Sequence, residues 1–170
     1  IGDYTTDNLG MINIESTLVE GKYFYQEVSV PSSYELDETI HEIDLKWGDN
    51  KTEEIKDNKY PEVIIEKIGK QTSLPIPDVT FKIFDKDMNL LKELVTDVNG
   101  LIYFEDLKEG EYFYQEVSAP EYVVIDDEIK PLILVWGENQ HLEIYNNLYP
   151  TLDLQKISYE TEVVIPGAVF

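Results

Sequence analysis

The chain has 170 residues, no Cys, 35 acidic residues and 13 basic ones, for a net charge of −22. That charge repels nucleic acid and anionic membrane surfaces, and it favours solubility. A hydrophobic fraction of 42%, with 12 Tyr and 6 Phe, is too rich for a disordered acidic tail, and no apolar run reaches transmembrane length.

Strand signals dominate the chain in order. An aromatic, β-branched stretch fills residues 21–31. Residues 43–47 alternate, with Ile43, Leu45 and Trp47 expected inward and Asp44 and Lys46 outward. Residues 63–68 are β-branched, and residues 79–84 form the next expected strand. The turn at 85–89 lacks the Gly and the distal Glu of a calcium loop and is read as a hairpin turn. Residues 90–95 lead into a second turn, Thr96-Asp97-Val98-Asn99-Gly100, followed by an expected strand at 101–104.

Residues 110–120 repeat the early aromatic stretch. Residues 131–136 form another expected strand, with Leu132, Leu134 and Trp136 inward, and 142–146 form the next. Residues 152–156 alternate, which places Leu152, Leu154 and Lys156 on one face. No segment carries a convincing helical period. His41 and His141 stand alone, so no metal or other cofactor is expected. The sequence predicts an all-β chain built from antiparallel β-sandwiches.

The chain repeats itself. Residues 22–67 map onto 111–156 at an offset of 112 − 23 = 89, without a gap, and 20 of those 46 pairs are identical. The offset continues from Ile76-Pro77-Asp78 to Ile165-Pro166-Gly167. It slips by one near the N-terminus, where Thr6-Asp7-Asn8-Leu9-Gly10 matches residues 96–100. A fixed period of this length suits a tandem array of small domains. We therefore expect the end of one repeat in 1–60, a complete repeat in 61–149 and the first strands of another in 150–170. On this reading the chain is a segment of a longer protein.

Three polar residues fall on faces expected to point inward: Lys67 after Val63 and Ile65, Asn146 after Leu142 and Ile144, and Glu116 after Tyr112 and Tyr114. A buried amine, amide and carboxyl in one small core are costly unless they serve a purpose. Desolvation favours a neutral amine and a neutral carboxyl. Such an amine can attack the amide carbon while the carboxyl polarises the carbonyl and shuttles protons. The product is a Lys67–Asn146 isopeptide bond, with ammonia released. It closes a loop of 146 − 67 = 79 residues.

Several features together carry a family resemblance. They are the first-strand Lys67, Ile76-Pro77-Asp78-Val79-Thr80-Phe81, Thr96-Asp97-Val98-Asn99-Gly100, Gly110-x-Tyr112-x-x-x-Glu116-x-x-x-Pro120 and the last-strand Asn146. The chain resembles, over essentially its whole length, the Cna B-type (prealbumin-like) domains of Gram-positive surface adhesins and pilins. The resemblance implies an autocatalytic bond between Lys67 and Asn146, with Glu116 as its proton shuttle and Glu27 as the equivalent carboxyl of the partial repeat. The chain departs from the family pattern in three places. Asp78 stands where Gly is usual, Pro120-Glu121-Tyr122 lacks a Gly, and Asp57 occupies the position of Asn146. Asp57 can still condense with a Lys, losing water. Asp57 and Lys156 are accordingly expected to crosslink to residues outside this chain.

The resulting expectation is a structural stalk or fibre module of an extracellular bacterial surface protein. It performs single-turnover self-crosslinking and is not an enzyme. Its partners are adjacent repeats, with a host or matrix protein as a further partner, and it neither binds nucleic acid nor inserts in a membrane. Two alternatives stand beside this. One is an adhesin module that binds a host protein or glycan. The other is a filament subunit in which residues 150–170 and 1–60 of different chains complete one repeat.

Overall fold

A computed structural model describes residues 2–15 and 18–170. Among these residues there are nine strands and no helix. None of them therefore forms a helix long and apolar enough to cross a membrane. The chain divides into two compact units, Ile1–Tyr60 and Pro61–Phe170.

The first unit holds β1 (Gly21–Tyr25) and β2 (His41–Leu45), paired antiparallel so that Gly21 faces Leu45 and Tyr25 faces His41. An isolated bridge joins Tyr34 to Lys59. The Tyr23 hydroxyl closes the loop before β1 by donating to the Val19 carbonyl at 2.8 Å.

The second unit is a two-sheet sandwich. One sheet has the order β6-β3-β9, from Leu101–Phe104, Val63–Gly69 and Gln140–Asn146. The other has the order β5-β4-β7-β8, from Leu90–Val95, Thr80–Asp85, Gly110–Ser118 and Lys130–Leu134. All pairings are antiparallel except β3 with β9, which run parallel from Val63↔Gln140 to Gly69↔Asn146. Alternation along each strand sends one face inward. Val63, Ile65, Ile102, Phe104 and Ile144 from one sheet meet Phe81, Ile83, Leu132 and Leu134 from the other.

The β4–β7 register slips at one point: Thr80 faces Ser118, yet Phe81 faces Glu116. Val117 is the extra residue of this β-bulge. A bulge bends and twists its strand, and this one sits beside the inward-facing Glu116.

Three expectations need correction. Residues 152–156 form no strand and are exposed. A strand persists through its ladder partners, and no described strand pairs with this stretch, where the Lys156 carbonyl accepts one bond from Ile165 N–H. Trp47 is exposed, because β2 stops at Leu45 and releases it. The expected strand at 131–136 runs instead over Lys130–Leu134 and ends in the turn closed by Glu138 N–H donating to the Val135 carbonyl. Its Leu132 and Leu134 do point inward.

Candidate functional site

The parallel register of β3 and β9 places Lys67 opposite Ile144 and Gly69 opposite Asn146. Lys67 and Asn146 are thus diagonal neighbours on the inner face. Glu116 comes from the facing sheet. The structure brings all three together in the interior: Lys67 is fully buried, and Glu116 and Asn146 are each 2% exposed.

Lys67 Nζ donates to Asn146 Oδ1 at 2.5 Å. Asn146 Nδ2 donates to Glu116 Oε1 at 2.5 Å. Lys67 Nζ also lies 2.8 Å from Glu116 Oε2. That contact is one of charge, because Oε2 accepts no hydrogen bond of good geometry. Nearby, the Phe81 ring centroid is 5.8 Å from the amine, and the Tyr114 ring packs against Phe81. Burial pushes the Lys67 ammonium down from its ordinary 10.5, and the Glu116 carboxylate opposes this without overcoming it. The site therefore holds an amine biased toward its nucleophilic form, in contact with a carboxamide oxygen, with a carboxylate touching both groups.

The local backbone is anchored by the turn at 96–100. Thr96 is buried; its Oγ accepts from Val79 N–H and donates to the Ile76 carbonyl, both at 2.9 Å. Lys67 N–H donates to the Gly100 carbonyl at 2.8 Å, and the Lys67 carbonyl accepts from Ile76 N–H at 2.9 Å. A Cβ on Gly100 would lie 2.6 Å from that same Lys67 oxygen. The sequence motif marked Thr96 and Gly100 as turn residues. Their hold on the Lys67 backbone was hidden because it depends on contacts across the fold.

Glu27 is half-buried and accepts from Asp37 N–H at 3.2 Å. Asp57 has one carboxylate oxygen, Oδ1, enclosed without a hydrogen-bond partner. Lys156 is exposed. Among the described residues, no group of three or more His, Asp or Glu side chains is placed to hold a metal ion.

The family of SpaA prealbumin-like fold domains matches residues 1–59 and 61–147. The chain belongs to this family. It is 30% identical over 145 residues to a collagen adhesin of Staphylococcus aureus, covering 78% of the chain and 12% of that much longer protein. Among solved structures it resembles BcpA, the major pilin subunit of Bacillus cereus, with 30% identity and a TM-score of 0.50. That match covers 55% of this chain and 30% of the pilin. It also resembles the Bacillus anthracis TIE protein, with 26% identity and a TM-score of 0.52 over 76% of this chain and 25% of that one. The chain is a prealbumin-like domain segment of the kind found in pilin- and adhesin-like surface proteins.

Proposed function

We propose that this chain is a structural stalk or fibre segment of an extracellular bacterial surface protein, stabilised by a self-formed Lys67–Asn146 isopeptide bond. The supporting observation is the buried contact of Lys67 Nζ with both Asn146 Oδ1 and Glu116 Oε2. In the reaction, the Lys67 ammonium gives a proton to Glu116. The amine nitrogen then attacks Asn146 Cγ, and Glu116 returns the proton to the carboxamide oxygen. That attack forms the Nζ–Cγ bond; collapse of the tetrahedral intermediate then restores the carbonyl, hands the oxygen's proton back to Glu116 and breaks the Cγ–Nδ2 bond. Nδ2 leaves as ammonia with a proton from Nζ, carried by Glu116. The site turns over once and is not an enzyme.

The same reading takes 61–149 as a complete repeat, 1–60 as the closing part of one and 150–170 as the opening of another. Equivalent hydrogen bonds support it. Gln26 and Gln115 each donate to the carbonyl twelve residues on, Glu38 and Asp127, at 2.8 Å. The β1–β2 register, Gly21↔Leu45, recurs in β7–β8 as Gly110↔Leu134.

Intact mass tests the proposal. The purified chain should be lighter than its sequence by one ammonia, and the Glu116→Ala variant should have the full sequence mass. A full-mass parent chain would remove the crosslink from the proposal.

A second reading, a module that holds a host matrix protein, is favoured by Tyr103 and Tyr145. Both are exposed on the outer face of the β6-β3-β9 sheet, and the repeat offset gives neither an aromatic counterpart. Loss of collagen binding in a Tyr103→Ala/Tyr145→Ala variant that keeps its crosslink would support this reading. An absence of binding by the parent chain would set it aside for collagen.

A further inference from the structure

We infer that Asp126 is a positioning residue for the Lys67–Asn146 crosslink: it holds the Lys130 ammonium away from Glu116 and so leaves that carboxylate to Lys67. This rests on the crosslinking reading above and adds to it a residue outside the reacting cluster.

Lys130 is a charged residue on an apolar face. The alternation of β8 puts Lys130, Leu132 and Leu134 on the inner side, and both leucines are buried. Lys130 stands opposite Tyr114 across the β7–β8 ladder, and Glu116 is the next inward residue along β7. Such diagonal neighbours are about 7–8 Å apart at the backbone, within reach of a long side chain. Lys130 is therefore a second amine at the edge of the cluster, able to compete with Lys67 for one carboxylate.

Glu116 has room for that competitor. Its Oε2 is enclosed without a hydrogen bond of good geometry, and a buried carboxylate oxygen in that state gains from an ammonium that reaches it. A Glu116 carboxylate occupied by Lys130 is a poorer acceptor for the Lys67 proton. Lys67 then stays an ammonium, which has no lone pair with which to attack Asn146.

In the structure Lys130 is turned away from Glu116. Its Nζ donates to Asp126 Oδ2 at 2.5 Å, while Asp126 Oδ1 accepts from Glu128 N–H at 3.3 Å. The Lys130 and Asp126 side chains are 31% and 43% exposed, which places the pair at the rim of the core. Both charges reach the Lys67 amine and act in opposite directions, Asp126 favouring its ammonium and Lys130 opposing it.

The first unit repeats the arrangement with a different cation. The 89-residue offset maps Tyr114, Asp126 and Lys130 onto Tyr25, Asp37 and His41. His41 Nε2 lies 3.2 Å from Asp37 Oδ2, and the His41 ring stacks on Tyr25 with centroids 5.1 Å apart. The cation changes between the two copies, and the carboxylate four residues before it does not.

The test follows the reaction in the full chain, recovered unfolded at its full sequence mass from inclusion bodies and refolded by dilution. Intact mass records the loss of ammonia with time, and circular dichroism of the same samples records refolding. Asp126→Asn should fold and lose ammonia more slowly by about tenfold or more, the factor by which an opposite charge in contact shifts a proton equilibrium. Asp126→Asn/Lys130→Met has no competing amine and should recover the parent rate. A purely structural role for Asp126 leaves the double variant as slow as the single one, and that result overturns the inference. An Asp126→Asn chain that matches the parent rate overturns it too. A parent chain that folds and keeps its full mass overturns the crosslink reading itself, whereas a parent that loses ammonia beside either of the preceding results overturns this inference alone.

Discussion

Lys67 and Asn146, 79 residues apart in sequence, meet in the core at 2.5 Å between Nζ and Oδ1. The leaving group of the proposed reaction is set by the side chain at 146. Asn146→Asp should still crosslink and should lose water in place of ammonia, which intact mass separates. Asn146→Ala should keep the full mass and lose about 4–5 kcal/mol of stability, taking the loop-entropy model of a covalent closure for this loop length. Denaturant unfolding at matched pH measures the difference.

Thr96 holds the segment before β4 at two points through one hydroxyl. Thr96→Val would leave Val79 N–H and the Ile76 carbonyl buried without partners, at a cost of about 2–5 kcal/mol. Thr96→Ser keeps both bonds and should recover most of that loss. The Val variant should also lose ammonia more slowly after refolding, because Ile76 hydrogen-bonds the Lys67 backbone.

Gly100 and Gly137 provide a matched pair. Both have positive φ, 72° and 70°, but a Cβ at 137 would meet nothing within 4 Å, whereas one at 100 would strike the Lys67 carbonyl. Gly137→Ala should cost about 1–2 kcal/mol for the left-handed backbone alone. Gly100→Ala should cost more, because backbone must move, and thermal melting of the two variants will rank them.

Burial lowers the folded-state pKa of Lys67 below 10.5. In the Asn146→Ala variant the amine remains free. Between its folded pKa and 10.5 the unfolded chain binds more protons, so this residue makes stability rise with pH through that window. Comparison with Lys67→Met/Asn146→Ala removes the contribution of all other charges. Equal slopes in the two variants would contradict the lowered pKa.

The inward faces were legible because strand periodicity is two: the residues before Lys67, Glu116 and Asn146 named the buried side without knowledge of the sheets. The repeat added a second reading of each face. What stayed hidden depends on pairing. The bulge at Val117 exists only relative to β4. The alternation of 152–156 signals a strand that needs a ladder partner, and Trp47 lies just beyond the end of β2. Thr96 read as a turn residue because its bonds reach 17 and 20 positions back along the chain.

The parallel pairing of β3 with β9 sets how the domain resists being stretched. The chain enters at the Val63 end of one strand and leaves at the Asn146 end of its neighbour, so pulling on the two ends slides the strands past each other. Such a ladder is loaded in shear: the hydrogen bonds from Val63↔Gln140 to Gly69↔Asn146 are strained together, where an unzipping geometry would break them one at a time. A covalent tie at Lys67 would clamp this slip plane near its exit end and leave only Val63 to Lys67 to carry force across the domain.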